Sequence, residues 1–213
     1  RKSKITESES VNQIYSLTIN SSKYTLVNSL TKPLFKEIDS SIVPGYDGSN
    51  VIQVACGESH SVVLLKTGAV ICFGNNNKGQ VNNTITSRAK YIECGKKRTF
   101  VLMDTGLIKG FGENVSDDPY FKSMIGVNDV TTTKFINPQT VHKDVNNIYN
   151  QANALFISSK FHYGIIVTKE FKILGFGRNE YGQLGVNSSN NNPTGVEKIP
   201  KLIDFFKLVT EDK

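Results

Sequence analysis

Several residues in this chain have the right types to do chemistry. His60 stands beside Ser61, the residue types from which a hydroxyl nucleophile and its base are drawn. Phe73-Gly74-Asn75-Asn76-Asn77-Lys78-Gly79-Gln80 has the glycine and lysine content of a loop that cradles phosphate. Cys56, Cys72 and Cys94, with His60, His142 and His162, are potential metal ligands. Each reading fails on what it would need nearby. A catalytic triad requires an orienting acid and oxyanion donors, and no segment supplies them. A phosphate loop requires a strand before it and a helix N-terminus after it, to aim N–H groups at the anion; here β-type sequence lies on both sides. Zinc requires ligands at short spacing such as C-x-x-C, and the three cysteines lack it. The sequence therefore predicts no catalytic residue, no metal, no cofactor and no enzymatic activity.

What the same residues do share is recurrence. Cys56-Gly57 returns as Cys94-Gly95. The slot of His60 is filled by Arg98 and then by Tyr163, and Phe73-Gly74 returns as Phe111-Gly112 and Phe176-Gly177. The spacing from slot to phenylalanine is identical in all three copies, while the step from Gly74 to Gly112 is much shorter than the step from Gly112 to Gly177. Length varies only between copies, where loops absorb it at little entropic cost. A slot that accepts histidine, arginine and tyrosine is a bracing position, not a base or a ligand. Asn76, Asn114 and Asn179 hold a fixed place after each Phe-Gly and are expected to bond the backbone of their own turns.

The elements that carry these slots read as β throughout. Ser61 to Leu65 and Val70 to Phe73 are short β-branched runs joined at Lys66-Thr67-Gly68, a hairpin with glycine where positive φ is needed. Asp104-Thr105-Gly106 repeats that turn; Lys169-Glu170-Phe171 has no glycine, so the third turn is expected to differ. Leading strands are expected at Val51 to Ala55, Tyr91 to Glu93 and Ala154 to Ile157, and another at Phe205 to Val209. Ile14 to Ile19 and Tyr24 to Val27 resemble the first two strands of a degenerate earlier copy. No segment carries a convincing helical stripe. Units that cannot bury their own apolar faces must stack on neighbours.

These phrases resemble the repeat of the regulator of chromosome condensation family, whose pattern runs roughly V-A-C-G-x-x-H-S, a turn glycine, then F/W-G-x-N-x-x-G-Q-L-G. Val54 to Ser61 with Phe73 to Gln80 carries the first copy, and Phe176 to Gly185 carries the second half of the third. The middle copy loses the G-Q-L-G loop to Val115-Ser116-Asp117-Asp118, and the third loses the V-A-C-G-x-x-H start. The resemblance implies an all-β fold, a β-propeller of four-stranded antiparallel blades. Its structural repeat positions are Gly57, His60, Gly68, Gly74, Gly79, Gln80, Gly95, Gly106, Gly112, Gly177, Gly182, Gln183 and Gly185. The expected organisation is a tail over 1–10 and one repeat domain over 11–213. Its blades fall at 11–50 (degenerate), 51–90, 91–153 with an insertion at 116–142, and 154–204, with a further blade starting at 205–213. By the mean length of its own repeat the chain makes about four blades, short of the family's usual seven. The reading is a partial propeller or fragment, completed by flanking segments or other chains.

The resemblance implies protein partners: many members are scaffolds or adaptors. The alternative is guanine-nucleotide exchange on a Ran-like small GTPase, although no segment matches the wedge that does that work. Net charge of +6 with pI near 9.1 adds a second alternative, contact with chromatin or nucleic acid. The basic residues are scattered, and tryptophan is absent, which weakens the case for base stacking. The segment from Ser116 to His142 departs from the repeat, and its Tyr120, Phe121, Lys122, Lys134 and Phe135 are candidate partner anchors; the alternative is that some of these residues form the missing outer strands of that blade. Three cysteines, odd in number and read as small buried hydrophobes, point to an intracellular protein, cytoplasmic or nuclear. No apolar run approaches the roughly 20 residues of a membrane helix.

Overall fold

A computed structural model describes residues 15–19, 22–26, 40–47, 49–115, 123–186 and 195–203. The chain divides into two units, Arg1–Ile38 and Asp39–Lys213. The first contains an antiparallel hairpin of β1 (Tyr15–Ile19) and β2 (Ser22–Leu26), paired from Tyr15↔Leu26 to Ile19↔Ser22. The expected Ile14 to Ile19 and Tyr24 to Val27 fall at these strands.

The second unit holds three antiparallel meanders. The first sheet is β3 (Val51–Cys56), β4 (His60–Leu65) and β5 (Val70–Gly74). The second is β6 (Ala89–Gly95), β7 (Arg98–Met103), β8 (Ile108–Glu113) and β9 (Lys134–Thr140). The third is β10 (Ala154–Lys160), β11 (Tyr163–Thr168), β12 (Ile173–Arg178) and β13 (Val196–Leu202). No helix occurs among the described residues. The hairpin register repeats as the slots do. Gln53↔Leu64, Tyr91↔Leu102 and Phe156↔Val167 are the same ladder position, each preceded by a one-residue register shift. Along the chain, Tyr15↔Leu26 precedes Gln53↔Leu64 by the same step that separates Gln53↔Leu64 from Tyr91↔Leu102, so β1–β2 keeps the spacing of the repeat. The expected strand at Phe205 to Val209 lies outside the described residues.

Apolar side chains of adjacent sheets fill the spaces between them. Val62, Leu64, Val70 and Cys72 of the first sheet meet Ile92, Cys94, Val101 and Phe111 of the second. Phe100, Leu102 and Ile108 on the other face of the second sheet meet Ile157, Ile166, Leu174 and Phe176 of the third. Phe100 and Phe176 pack edge to face at 5.7 Å between centroids. The middle sheet is covered on both sides, which is why β7 reads Thr-Phe-Val-Leu without polar alternation and is buried along that run. Val54, the slot equivalent of fully buried Ile92 and Ile157, is 65% exposed because it lies on the side of the first sheet turned away from the second.

Two details depart from the sequence reading and a third resolves an alternative that it left open. The third hairpin, expected to turn differently without glycine, closes in the same way: Phe171 N–H bonds Thr168 O as Gly106 N–H bonds Met103 O. Phe171 takes φ +58° to do so. Part of the expected insertion, Lys134–Thr140, is strand, since β9 supplies the partner that the open edge of β8 needs. The thiols also divide: Cys72 and Cys94 are buried and Cys56 is exposed, on the same outward side as Val54.

The first sheet has no fourth strand among the described residues. Asn83 substitutes for one: its Oδ1 accepts from Cys72 N–H at 2.6 Å and its Nδ2 donates to Cys72 O at 3.3 Å. The outer strands β9 and β13 both carry proline, Pro138 and Pro200, at the same ladder position. Proline lacks the N–H that a ladder interior needs, so it belongs on an edge strand.

Candidate interaction surface at the hairpin-turn end

The bracing slot lies where each second strand begins. His60 Nε2 sits 3.1 Å from Thr99 Oγ1 on the neighbouring sheet. That hydroxyl donates to Gln80 O at 2.9 Å, so it accepts from His60, whose proton is therefore on Nε2. His60 Nδ1 is buried without a hydrogen-bond partner, against Gly57, where a Cβ would come within 2.4 Å of it. Burial holds the imidazole pKa below its usual value. The ring is a neutral brace between sheets.

Arg98 fills the slot in the second sheet and is fully buried. Nε donates to Glu113 O at 3.0 Å and Nη1 to Phe161 O at 2.5 Å in the third sheet. Nη2 lies 3.6 Å from Glu113 Oε2, 3.1 Å from Met124 Sδ and 3.3 Å from His162 Nδ1. Desolvation lowers its pKa to about 10, with Glu113 opposing, so it stays charged at neutral pH. Lys78 Nζ, 3.2 Å from Glu113, is a second cation on that buried carboxylate. Tyr163, the third occupant, packs against Leu184, Val186 and Ile203.

The slots hold together a row of two-residue turns at one end of the sheets: Glu58-Ser59, Lys96-Lys97 and Phe161-His162. Glu58 N–H donates to Lys96 O at 2.9 Å, and Lys96 N–H to Phe161 O at 3.3 Å. Phe161 takes φ +48° and is 58% exposed. Arg178 donates its N–H to His162 O at 3.0 Å, ion-pairs with Glu180 and places its guanidinium 5.2 Å from the Tyr181 ring centroid. Tyr181 is 82% exposed. The row presents aromatic and cationic side chains. Among the described residues no group of three or more His, Cys, Asp or Glu is placed to hold a metal. Burial pushes the Cys72 thiol up to about 11 and Cys94 higher still, far from the thiolate form that attacks or ligates.

Tyr120, Phe121 and Lys122 lie outside the described residues. Lys134 is exposed at the start of β9, with Nζ donating to Asn77 O at 3.2 Å. Phe135 packs part-buried against the core between the second and third sheets. The glycines cluster at close approaches: a Cβ on Gly74, Gly112 or Gly177 would come within 2.7 Å of Ser59 O, Lys97 O or His162 O. On Gly95 it would lie 2.8 Å from Arg98 Cγ, and on Gly79 3.0 Å from Phe135 O. Gly182 and Gly185 take positive φ in the loop after β12. Gln80 and Gln183 each accept the N–H two residues earlier, from Lys78 and Tyr181. Asn76, Asn114 and Asn179 accept from Val81, Ile125 and Leu184 N–H, each within its own loop. Sequence reasoning passed over Phe161, Arg178 and Tyr181. Phe161 was findable, because it follows Lys96 by the same step that separates Arg98 from Tyr163.

Meanders of antiparallel strands stacked face to face, each bracing the next at its turns, are the blades of an RCC1-like β-propeller. The repeat that builds them is the regulator of chromosome condensation (RCC1) repeat, whose family models match residues 51–80 and 172–209. Prp20p from Saccharomyces cerevisiae, in a structure described with its binding properties to Gsp1p and histones, is similar with TM-score 0.60 and 17% identity. Yeast RCC1 (Prp20) bound to Kap60 is similar at 0.59 and 18%, and human WBSCR16 at 0.55 and 23%. These alignments cover 88%, 88% and 73% of this chain but 42%, 41% and 39% of the other chains. The chain thus spans about two fifths of the length of the solved structures it matches. A search among curated proteins found no match.

Proposed function

We propose that this chain is a protein-binding scaffold that docks partners on the turn end of its blades. The observation that carries the reading is the division of labour in the repeat. The motif residues His60, Arg98, Asn76, Asn114 and Asn179 are taken up in bonds within and between blades. The turn row leaves Phe161 exposed, and the loop after β12 at the same end leaves Tyr181 exposed beside Arg178. Buried bracing residues do not turn over substrate; exposed aromatics flanked by charge are the composition of interface anchors. No cofactor enters this reading, and the setting is intracellular, in keeping with three free thiols. No described helix is long and apolar enough to cross a membrane.

A photo-crosslinking amino acid placed at Ser59, Asn77 or Glu180, at the turn end, is expected to capture protein in cells. The same group at Thr67, Thr105 or Glu170, at the opposite hairpins, is expected to capture much less. Equal capture at both ends, or none, defeats the reading. A second reading is nucleotide exchange on a Ran-like GTPase, motivated by the fold shared with Prp20p, whose structure was described with its binding to Gsp1p. Accelerated release of labelled GDP from such a GTPase would favour exchange; unaccelerated release favours the scaffold. Association with chromatin through the net positive charge is the third reading, and it requires affinity that falls steeply with salt.

A further inference from the structure

The three blades build their first hairpin turns alike except at one residue. Glu58 and Lys96 avoid the left-handed region, whereas Phe161 in the same position takes φ +48°. Lys160 pairs with Tyr163, so Phe161-His162 is a two-residue loop with positive φ at its first position only. That arrangement ordinarily takes glycine. A phenylalanine there is strained, and the surroundings hold it: its carbonyl accepts from Arg98 Nη1 at 2.5 Å and from Lys96 N–H at 3.3 Å. The fully buried guanidinium of Arg98 thus anchors the turn that lifts the Phe161 ring into solvent.

The charges at this end of the sheets are unequal. Glu58 pairs with Lys96 at 3.4 Å and Glu180 pairs with Arg178. Lys97, next to Lys96, and Lys160, next to Phe161, have no acidic partner among the described residues. We infer that Phe161, with Lys97 and Lys160, is a pre-formed anchor for an acidic protein segment carrying an apolar side chain. The ring supplies apolar area at no backbone ordering cost, because its turn is already fixed, and the two cations meet carboxylates beside it. Nucleic acid fits less well. Glu58 and Lys96 occupy the sibling positions, so the row offers one ring and not a run of stacking platforms.

This inference rests on the protein-binding reading and specifies its partner. The test uses the full chain and a short fluorescent peptide of aspartate and glutamate with a central leucine. Controls are the same peptide with serine at the centre and a single-stranded oligodeoxynucleotide. The leucine peptide is expected to bind, to weaken about tenfold or more with Phe161→Gly, and to weaken with lower salt sensitivity in Lys97→Glu and Lys160→Glu. Phe161→Gly relieves the turn, so its Tm is expected to hold or rise, separating lost binding from lost fold. No peptide binding, equal binding by Phe161→Gly, equal binding of the serine peptide, or tighter binding of the oligonucleotide each overturns the inference. Crosslinking at the turn end that survives Phe161→Gly defeats this anchor alone. Absent crosslinking defeats the scaffold reading, while the peptide titration still reports on the anchor.

Discussion

With the three sheets of the second unit counted in chain order as blades 1 to 3, blades 2 and 3 close their second hairpins with the same hydrogen bonds and different residues. Gly106 N–H reaches Met103 O at 3.0 Å, and Phe171 N–H reaches Thr168 O at 2.9 Å. Both residues take positive φ, +88° and +58°. The ladder therefore dictates the turn, and glycine is not what makes it. The difference lies in what lands on the turn. Ala154 N–H of blade 3 donates to Gly106 O, and a Cβ on Gly106 would sit 2.3 Å from Ala152 O. Gly68 receives Ala89 N–H of blade 2 in the same way, with Arg88 N 2.4 Å from a would-be Cβ. Phe171 instead extends a ring that is 78% exposed. Turn glycine in this repeat marks a landing site for the next blade.

The junction between blades 2 and 3 is pinned at one end by Gly106 and at the other by Arg98. The Arg98 end is expected to break hardest. Arg98→Ala strips a buried carboxylate of one cation, removes the side-chain donor to Glu113 O and leaves Phe161 O with Lys96 N–H alone. Removing one partner of a buried ion pair costs about 3–5 kcal/mol. Urea unfolding should show that loss, and a loss under about 1 kcal/mol would mean Lys78 alone suffices for Glu113.

Gly106→Ala comes next. It adds left-handed strain to a backbone clash, together about 2–4 kcal/mol. Phe171→Gly, at the same ladder position, is expected to go the other way. It removes strain of about 1–2 kcal/mol and adds roughly 0.5–1 kcal/mol of chain entropy, for a net gain of about 0.5 kcal/mol. Measured side by side by denaturant midpoint, the two substitutions should have opposite signs. If Gly106→Ala is as mild as a surface change, the landing-site account fails.

Those opposite signs also locate what the sequence could convey. The strands, their register and the bracing slot were legible because they recur: His60, Arg98 and Tyr163 keep one spacing to Phe73, Phe111 and Phe176. The division of each slot into outward and inward faces was not, because Cys56 and Cys94 are identical letters in one slot and only the neighbouring sheet distinguishes them. Strand β9 was open to either reading, because Pro138 sits where an edge strand tolerates it and nothing in the local sequence separates such a strand from a loop. The candidate surface was the least legible. Phe161 matters through φ and through a carbonyl held by Arg98 from another blade, and neither leaves a mark on the local sequence. Irregularity singles out the insertion at 116–142, while the aromatic anchor stands in a regular turn.

The smallest expected effect separates the two braces by pH. Arg98 stays charged across the accessible range, whereas His60 is buried neutral with its pKa held below the usual 6.5, burial being the main cause. The unfolded chain takes up a proton near 6.5 and the folded chain resists it until lower pH. Over that interval the unfolded state binds more protons, so stability rises with pH. The contribution of neutral His60 is thus complete above the unfolded pKa and is lost as pH falls from about 6.5 toward the depressed folded value. His60→Gln keeps a donor that can reach Thr99 Oγ1 and removes the titration. Wild type should lose more Tm than His60→Gln between about pH 7.5 and about pH 5.5. His142 and His162 are common to both proteins, so their titration cancels in the comparison. Parallel losses would mean that the imidazole gains its proton without leaving the junction. The junction of blades 1 and 2 would then tolerate a cation as the junction of blades 2 and 3 does, and the two braces would differ in side chain but not in kind.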